Sequence, residues 1–277
     1  MADDSKRPGH GAAPQGGGRV DRAIGLLRSL WIYHGIPGRR ARLRAFYRPL
    51  VPPGGLAFDI GAHLGNRTLA WRRLGARVVA VEPQPDCLRV LHHLFARDRA
   101  VTVLPVAVGE AEGEAQLLVS ARTPTVSTLS ADWAQRVGAT PAFRGVRWSG
   151  GVRVPVTTLD ALIARHGRPD FVKIDVEGSE LDVLEQLAPR LRSDRPITVV
   201  EVLPPYDPPM PERVERQKRM EALFRSLDMK LFRIHKDSSP LRLEPLEEFG
   251  IFTLQELSDH LVVPSERVND VLKAFAR

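Results

Sequence analysis

The residues with the clearest chemical potential lie in the run Phe58-Asp59-Ile60-Gly61-Ala62-His63-Leu64-Gly65-Asn66-Arg67-Thr68. An apolar stretch leads into a glycine-containing turn and then into a helical pattern, which would direct backbone N–H groups of the turn towards a ligand at the strand's carboxyl end. A dinucleotide-binding turn reads G-x-G-x-x-G and would need a glycine where this chain has His63. Asp59 offers instead a carboxylate suited to a cationic group such as an α-amino group.

A second acidic position follows the next apolar run, Val78-Val79-Ala80-Val81-Glu82-Pro83. Glu82 stands 17 residues after Gly65, at the predicted end of a second strand. Carboxylate oxygens in that place can accept hydrogen bonds from both hydroxyls of a ribose. Although strands also end in solvated carboxylates, this position after such a turn predicts a nucleoside-containing ligand.

The third segment of interest runs from Asp170 to Glu180 and reads D-F-V-K-I-D-V-E-G-S-E. Lys173 lies inside an apolar run, and Asp175 follows at its end. We expect Asp175 to orient the ligand or to accept a proton, and Lys173 to set the local electrostatic field. In a purely structural alternative, Glu177 and Glu180 would stabilise the N-terminus of the next helix and Lys173 would pair with a neighbour.

These segments must be positioned by the elements around them, and the pattern after residue 55 is typical of a parallel sheet with crossover helices. Residues 121–151 show no clean period and are a candidate loop or lid. Strands are predicted at 56–60, 77–81, 101–104, 171–175 and 197–202, with an extra strand at 116–120 and extended runs at 230–235 and 260–263; helices are predicted at 68–74, 86–96, 179–188 and 212–227, and a terminal helix starts at 265.

The first fifty residues differ in character from the rest. Residues 1–18 are rich in Gly, Ala, Pro and charge, and we predict a disordered tail because they cannot bury enough surface to offset their ordering entropy. Residues 19–50 combine apolar positions at helical spacing with the basic stretch 38–44, which predicts a basic helical extension ahead of one domain at 51–277. The arginines form either a solvated helix face or a contact for an anionic partner such as a membrane surface.

Composition and charge narrow the class of protein. The chain has 277 residues, 43% hydrophobic and 26% charged, which is typical of a globular protein. Residues 1–50 hold ten Lys/Arg and three Asp/Glu, whereas residues 51–277 hold 30 of each sign. The body therefore lacks the basic field of a protein that tracks phosphates, and we expect no nucleic-acid partner.

The cellular compartment follows from what the sequence does not contain. Cys87 is the single cysteine, so no intrachain disulfide can form. No apolar run of about 18 residues and no secretory-signal pattern occurs. We therefore expect a cytoplasmic protein.

Three motifs in the same order resemble the FkbM family of S-adenosylmethionine-dependent methyltransferases. They are the D-x-G-A-x-x-G turn at 59–65, the Glu82-Pro83 pair and the K-x-D-x-E-G segment at 173–178. The resemblance covers about residues 55–203. It implies an α/β fold with a Rossmann-like class I methyltransferase sheet, mostly parallel with seven strands, whose antiparallel last strand would be residues 260–263.

The resemblance also implies S-adenosyl-L-methionine as the cofactor. Asp59, Gly61 and Gly65 would hold its methionine portion and Glu82 its ribose, while His63 stands where the family more often has asparagine. The adenine would contact backbone groups near 106–108, which offer no acidic side chain. The implied cofactor-binding set is Asp59, Gly61, Ala62, His63, Gly65, Glu82, Val108 and Asp175.

Such a site must hold an acceptor in line with the S–CH3 bond and help remove the proton of a hydroxyl. The candidate catalytic bases are Asp175, Glu201 at the end of the fifth strand, and His63, which could instead be a neutral hydrogen-bonding residue. A divalent metal would need convergent oxygens, which Asp175, Glu177 and Glu201 could supply. Because spacing alone does not assign them to a metal, we predict none.

The segment Leu203-Pro204-Pro205-Tyr206 resembles the P-P-Y tetrapeptide of DNA and protein amino-methyltransferases. In those enzymes the motif follows the fourth strand, whereas here it follows the fifth. We therefore interpret it as a loop of the substrate pocket.

The sequence thus predicts a methyltransferase that methylates a hydroxyl of a small-molecule acceptor, such as a sugar or natural product, a substrate class that rests on the resemblance alone. One alternative is an NAD-linked oxidoreductase, which the missing glycine at position 63 disfavours. Another is a nucleoside-binding or membrane-associated module without catalysis, in which the basic extension at 19–50 makes an anionic contact.

Overall fold

The computed structural model describes residues 17–120, 127–129, 148–176, 178–205, 210–235, 242–254 and 258–276, and the structural statements below concern these residues. Most of the segment predicted to be a disordered tail therefore lies outside them, and its last two residues, Gly17 and Gly18, begin a helix. None of the described helices is long and apolar enough to cross a membrane.

The N-terminal extension is helical, as its apolar spacing predicts. Helix α1 (Gly17–Leu30) continues into a π-helical segment (Trp31–Gly35), and α2 (Arg39–Tyr47) follows after a turn. The π-helical segment packs on the body of the protein through a hydrogen bond of 2.8 Å between His34 Nε2 and the carbonyl oxygen of Leu64. π-Helical turns are rare and often lie at functional sites.

Strands and helices alternate through the rest of the chain. Local signals set several helix starts: the Gln84 side chain accepts a hydrogen bond from the Cys87 N–H, and Thr158 accepts one from the Ala161 N–H. The elements are β1 (Leu56–Ile60), α3 (Asn66–Arg72), β2 (Arg77–Val81), α4 (Pro85–Phe95), β3 (Val101–Leu104), β4 (Ala107–Val108), β5 (Gly113–Ser120), β6 (Trp148–Thr157), α5 (Leu159–His166), β7 (Phe171–Ile174), α6 (Glu180–Ser193), β8 (Ile197–Glu201), α7 (Pro211–Ser226), β9 (Met229–His235), β10 (Arg242–Leu246), β11 (Asp259–Pro264), a 3-10 turn (Ser265–Arg267) and α8 (Val268–Phe275).

The main sheet has the order β3-β2-β1-β7-β8-β11-β9-β10. Strands β3, β2, β1, β7 and β8 pair in parallel, and β11 runs antiparallel to both β8 and β9. The predicted mostly parallel sheet is confirmed, and so is its antiparallel strand at 260–263. From β1 the chain adds β2 and β3 in one direction, and from β7 it adds β8 in the other, so the strand order reverses between β1 and β7. Open α/β sheets bind ligands at such a point.

The described part of the main sheet contains eight strands rather than the predicted seven. The additional strand, β10, pairs antiparallel with β9 at the sheet edge. Its R-L-E-P-L sequence has no strong apolar alternation, and Pro245 is tolerated because an edge strand leaves one side unpaired. Side-chain pairing with β9 supports it, since Glu244 Oε2 lies 2.6 Å from His235 Nε2.

A second, smaller sheet has the order β4-β6-β5. The predicted strand at 116–120 is confirmed and begins earlier, at Gly113. The prediction of a loop over 121–151 is wrong at its end, because residues 148–151 belong to β6, where pairing with β5 overrides their weak strand propensity. At Gly151 a Cβ would lie 2.2 Å from Gln116 Cγ, so the Gln116 side chain packs directly over this glycine. Residues 121–126 and 130–147 lie outside the described residues.

Alternating side chains send the main sheet's apolar residues into two cores. Phe58 and Ile60 face a core shared with α5, α6 and α7. Ala57, Phe171 and Leu261 face the opposite core, which contains Tyr47 and other residues of α2, α3 and α8. The basic extension therefore contributes, through α2, to the second core.

Trp71 on α3 is the largest fully buried side chain of that second core. Its ring lies 5.3 Å from that of Tyr47 and 5.1 Å from that of Phe171, both in edge-to-face geometry. We expect Trp71→Ala to lower the free energy of unfolding by about 3 kcal/mol or more, because it removes apolar contacts and leaves a cavity. Urea denaturation measures this, with Trp31→Ala as the control, since Trp31 is 65% exposed. Equal losses in the two variants would contradict the assignment of Trp71 to the core.

Candidate active site

The turn after β1 is closely packed and satisfies its own backbone. Gly61 has φ +77°, and a Cβ there would lie 1.8 Å from the carbonyl oxygen of Asp175, so no other residue fits. The N–H groups of Gly61 and Ala62 both donate to Val81 O, and that of Gly65 donates to Ala62 O. The prediction that the turn's N–H groups face a ligand is therefore wrong for these three, because the neighbouring strand binds those of Gly61 and Ala62 and the turn itself binds that of Gly65.

Gly65 also has a packing role in this turn. It adopts a left-handed conformation before α3, and a Cβ there would lie 2.6 Å from Leu91 Cδ2 and 3.0 Å from Phe95 Cε2. A side chain at this position would push α4 away from the turn. The glycine thus sets the distance between α3 and α4.

Glu82 connects the end of β2 to the turn. Its Oε2 accepts a hydrogen bond of 2.7 Å from the His63 N–H, and its Oε1 accepts one of 2.8 Å from the Gln84 N–H. Burial raises the pKa of Glu82 to about 7, although both hydrogen bonds oppose this. Each carboxylate oxygen has a further lone pair, so the group can also accept from a ligand.

Asp59 is 1% exposed and lies below the turn. Thr68 Oγ1 donates a hydrogen bond of 2.6 Å to its Oδ2, while its Oδ1 has no hydrogen-bond partner among the described residues. Burial raises the pKa of this carboxyl, and the nearby Lys173 ammonium opposes the rise. The open oxygen makes Asp59 suitable for a cationic or hydrogen-bond-donating group of a ligand.

Lys173 is also 1% exposed, and its ammonium connects two strands. Lys173 Nζ lies 2.7 Å from Asp175 Oδ2 and 3.4 Å from the carbonyl oxygen of Gly61. In the register of β1 and β7 it stands opposite Asp59. Both sequence-based interpretations of Lys173 therefore hold in part, because it pairs with a neighbour that is itself a predicted site residue.

Asp175 lies among the charged groups of this edge. Burial acts to raise its pKa, but the Lys173 ammonium, the Glu201 side chain and Arg67 hold it well below its ordinary value. Glu201 Oε1 accepts a hydrogen bond of 2.8 Å from Ser258 Oγ.

His63 is held as a neutral ring. It has a left-handed backbone with φ +49°, and its ring meets that of Tyr33 edge to face at 5.2 Å. Burial lowers the pKa of His63 to about 3, and its Nε2 has no partner among the described residues. Of the two roles left open by the sequence, neutral hydrogen bonding suits this environment better than proton abstraction.

Sequence reasoning missed a group of residues that cover these acids. Arg67 on α3 donates a hydrogen bond of 3.0 Å to Asp259 Oδ2 on β11, and Asp259 stands opposite Glu201 in the strand register. Tyr33 lies in the π-helical segment and interacts electrostatically with Asp175 and Glu201. Burial raises its pKa to about 12, so its hydroxyl stays protonated and can donate a hydrogen bond. Only the position of Arg67 next to the turn could have drawn attention to it, since the other contacts join distant parts of the chain.

A small apolar cleft, with a cavity volume of about 50 Å³, opens at the carboxyl edge beside this cluster. Gly61, Val108 and Asp175, all predicted to bind the cofactor, line it, whereas Asp59, Ala62, His63, Gly65 and Glu82 lie outside its lining. The remaining lining residues come from the ends of β1 and β2, the segment after β3, the small sheet and the segment after β7: Ile60, Val81, Pro83, Val106, Ala107, Leu117, Leu129, Val176 and Ser179.

Two candidates cannot be placed, because Glu177 and Tyr206 lie outside the described residues. Pro204 and Pro205 follow β8, as the sequence pattern predicts for the P-P-Y segment. Among the described residues, no group of three or more His, Cys, Asp or Glu has an arrangement that could hold a metal ion.

Residues 59–231 match a family model described as the methyltransferase FkbM domain. Similar solved structures include a methyltransferase FkbM from Methylobacillus flagellatus KT, at 13% identity and a TM-score of 0.43, covering 89% of this chain and 57% of that one. An O-methyltransferase from Bacillus cereus in complex with SAH has 13% identity and a TM-score of 0.43, covering 91% of this chain and 92% of that one. This chain thus spans little more than half the length of the Methylobacillus structure. Among curated protein sequences, none matches it significantly.

The raised pKa of Glu82 leads to a pH-dependent stability. Between its ordinary pKa of 4.5 and its folded value of about 7, the folded state holds a proton that the unfolded chain has released. This proton stabilises the folded state by about 3 kcal/mol at pH values below 4.5, and the stabilisation is lost once the pH exceeds about 7. Relative to Glu82→Gln, the parent's free energy of unfolding should fall by up to that amount across this window. Urea titrations at several pH values measure it, and parallel pH profiles of the two proteins would contradict it.

Proposed function

This chain belongs to the FkbM methyltransferase domain family, and from that premise we propose that it transfers a methyl group from S-adenosyl-L-methionine to a hydroxyl oxygen of a small-molecule acceptor, such as a sugar or natural product. The observation that carries the proposal is the apolar cleft at the carboxyl edge, which opens beside Asp175. The cofactor binds, in this proposal, at the point where the strand order reverses.

The lining of the cleft has the chemistry of a site for the nucleoside half of the cofactor. Its apolar walls suit a purine ring, and Val106 and Val108 are among the residues that line it. Glu82 follows Val81, which lines the cleft, and its carboxylate keeps lone pairs for the two ribose hydroxyls. The sequence-based role of Glu82 thus remains compatible with its internal hydrogen bonds.

The acidic cluster fits the methionine half. An α-amino group carries a positive charge, and Asp59 Oδ1 is a buried oxygen that still lacks a partner among the described residues. Asp175 lines the cleft and is kept ionised by Lys173. A cationic group would therefore gain two charge-assisted hydrogen-bond acceptors on entering the site.

S-Adenosylmethionine, when bound, supplies a methyl group activated by the positive sulfur that carries it. The protein's own task is then to position a hydroxyl and to remove its proton. Asp175 is an oriented acceptor, because Lys173 holds one of its oxygens at 2.7 Å. When the hydroxyl of the substrate donates its hydrogen bond to Asp175, the lone pairs of its oxygen remain free to attack the methyl group.

Removal of the proton needs only a weak base. A hydroxyl becomes strongly acidic once its oxygen begins to bond to carbon, so even a carboxylate with a lowered pKa can take the proton as the bond forms. The charges of Lys173 and Arg67 stabilise the Asp175 carboxylate, so it is ionised and able to accept this proton.

The binding part of the proposal predicts a specific effect of Glu82→Gln. S-Adenosylhomocysteine should bind to the parent protein, and the substitution should weaken binding about tenfold, because an amide accepts less strongly from the ribose hydroxyls than a carboxylate. A 2′,3′-dideoxy analogue should bind equally to both proteins. Glu114→Gln, at an exposed glutamate on β5, is the matched control.

Isothermal titration calorimetry measures these affinities, with NAD as the comparison ligand. If Glu82→Gln lost as much affinity for the 2′,3′-dideoxy analogue as for S-adenosylhomocysteine, the ribose role of Glu82 would be ruled out. Failure of S-adenosylhomocysteine to bind to the parent protein, or preferential binding of NAD, would overturn the methyltransferase proposal itself.

The catalytic part predicts that Asp175→Asn lowers the rate of methyl transfer about a hundredfold or more, because it removes the acceptor of the hydroxyl proton. The affinity for S-adenosylhomocysteine should change much less. Asp98→Asn is the matched control, since it also removes a carboxylate that is paired with a cation, here Arg72. Asp98 lies before β3, at the opposite edge of the sheet.

Single-turnover transfer of a labelled methyl group to a panel of hydroxyl compounds, on the same preparations used for affinity and melting temperature, provides the test. If Asp175→Asn transferred the methyl group at a near-normal rate, Asp175 would lose its catalytic role to Glu201. If rate and affinity fell together, its role would be to hold the cofactor.

A further inference from the structure

The outer side of the N-terminal extension carries a line of large apolar side chains. Ile24, Leu27 and Trp31 are 58%, 65% and 65% exposed, and they are spaced three and four residues apart, so they share one helix face. We call these three residues the outer stripe. Scattered exposed apolar residues need no explanation, but three large ones in register on one helix do.

The inner side of the same segment is fixed to the protein. Ser29 is buried, and His34 bonds to the carbonyl oxygen of Leu64 in the turn after β1. Arg39 donates a hydrogen bond of 2.8 Å to Ile32 O and lies over the ring of Tyr33. The extension is therefore held against the body by its other face, and the outer stripe points away from it.

Trp31 lies across its own helix. Its ring packs against Gly35, where a Cβ would lie only 2.5 Å from Trp31 Cε3. Because the side chain is nevertheless 65% exposed, it is available for contact with a partner.

Positive charge predominates in the N-terminal extension. Residues 19–50 contain eight arginines, with Asp21 as their single acidic residue. Arg28, Arg40 and Arg42 are exposed, and no ion pair involves them among the described residues. The extension therefore offers apolar anchors together with unpaired positive charge.

The apolar anchors and the positive charge together disfavour three other partners for the outer stripe. Residues 1–16 have Met1 as their only large apolar side chain, so they offer little to bury against it. A second copy of the chain would bring two arginine-rich surfaces together, which costs electrostatic energy. The arginines suit a nucleic acid, but Ile24 and Leu27 would gain nothing from phosphates.

We propose that residues 19–48 form a peripheral membrane-binding surface, in which the outer stripe enters the headgroup and acyl boundary of a bilayer while the arginines contact anionic lipid headgroups. Interfacial helices combine an apolar face with basic residues in this way. Tryptophan is enriched at the membrane–water interface, where one part of its ring contacts lipid and the other contacts water. Because the inner side of the extension covers the turn after β1, the candidate active site lies about one helix diameter, roughly 10 Å, from the bilayer.

The first test measures binding of the full chain to vesicles by flotation. Vesicles of phosphatidylglycerol and phosphatidylcholine should bind the parent, and vesicles of phosphatidylcholine alone should bind it much more weakly. The double variant Leu27→Glu/Trp31→Glu should lose about tenfold or more in partition coefficient, because it removes two anchors and adds repulsive charge. The matched control is Ile251→Glu/Leu254→Glu, at positions 67% and 58% exposed elsewhere.

The second test separates the charges from the apolar anchors. Each arginine near an anionic surface contributes about fivefold to partition, so Arg40→Ser/Arg42→Ser should lose about 25-fold. Arg97→Ser/Arg99→Ser, which removes two exposed arginines from the segment between α4 and β3, is the control. Added salt should weaken binding of the parent in the same direction.

Unchanged melting temperature and unchanged affinity for S-adenosylhomocysteine would show that the variants fold, and they make this proposal independent of the proposed function. Failure of the parent to float with anionic vesicles would overturn it, as would equal losses in the stripe variant and its control. So would a stripe-dependent dimer, detected by sedimentation without lipid, or stripe-dependent binding to RNA in place of vesicles.

Discussion

The ion pair between Lys173 and Asp175 is the interaction on which the carboxyl edge of this sheet depends. Lys173 is almost fully buried, so without Asp175 its charge would have no adequate partner, and a single buried charge costs several kcal/mol. The same ammonium contacts Gly61 O and opposes the rise that burial causes in the pKa of Asp59. One cation thus holds the end of β7 against the turn after β1 and sets the ionisation of the acids on both strands.

The other polar residues of the site lie on the same face of the sheet for a geometric reason. Side chains alternate along each strand, so Asp59, Lys173 and Glu201 follow two residues after Ala57, Phe171 and Val199, which face the second core. Beyond the last apolar layer, that face has no further hydrophobic cover. Arg67, Tyr33 and Tyr47 cover it instead, and the N-terminal extension that provides the two tyrosines thereby becomes part of the candidate active site.

The sequence by itself determined the central architecture. The boundaries of β1, β2 and β3 agree with their predicted ranges, because each is a short run, largely apolar in sequence, bounded by strong turn signals. The family resemblance followed from motifs that lie within a few residues of one another, and the matching domain model supports it. Regions with weak local signals were missed: β10 and the first residues of β6 form because a neighbouring strand pairs with them.

Only the tertiary structure decided how the candidate site is assembled and charged. The sequence places acids at strand ends, but strand register brings Glu201 opposite Asp259, and long-range packing brings Tyr33 to His63. The turn's N–H groups were expected to face a ligand, and two of them bond instead to a strand that follows them by about twenty residues. Burial then fixes the protonation of Glu82 and His63. These properties depend on distances between residues far apart in the chain and on the loss of water around them, neither of which is encoded in local sequence pattern.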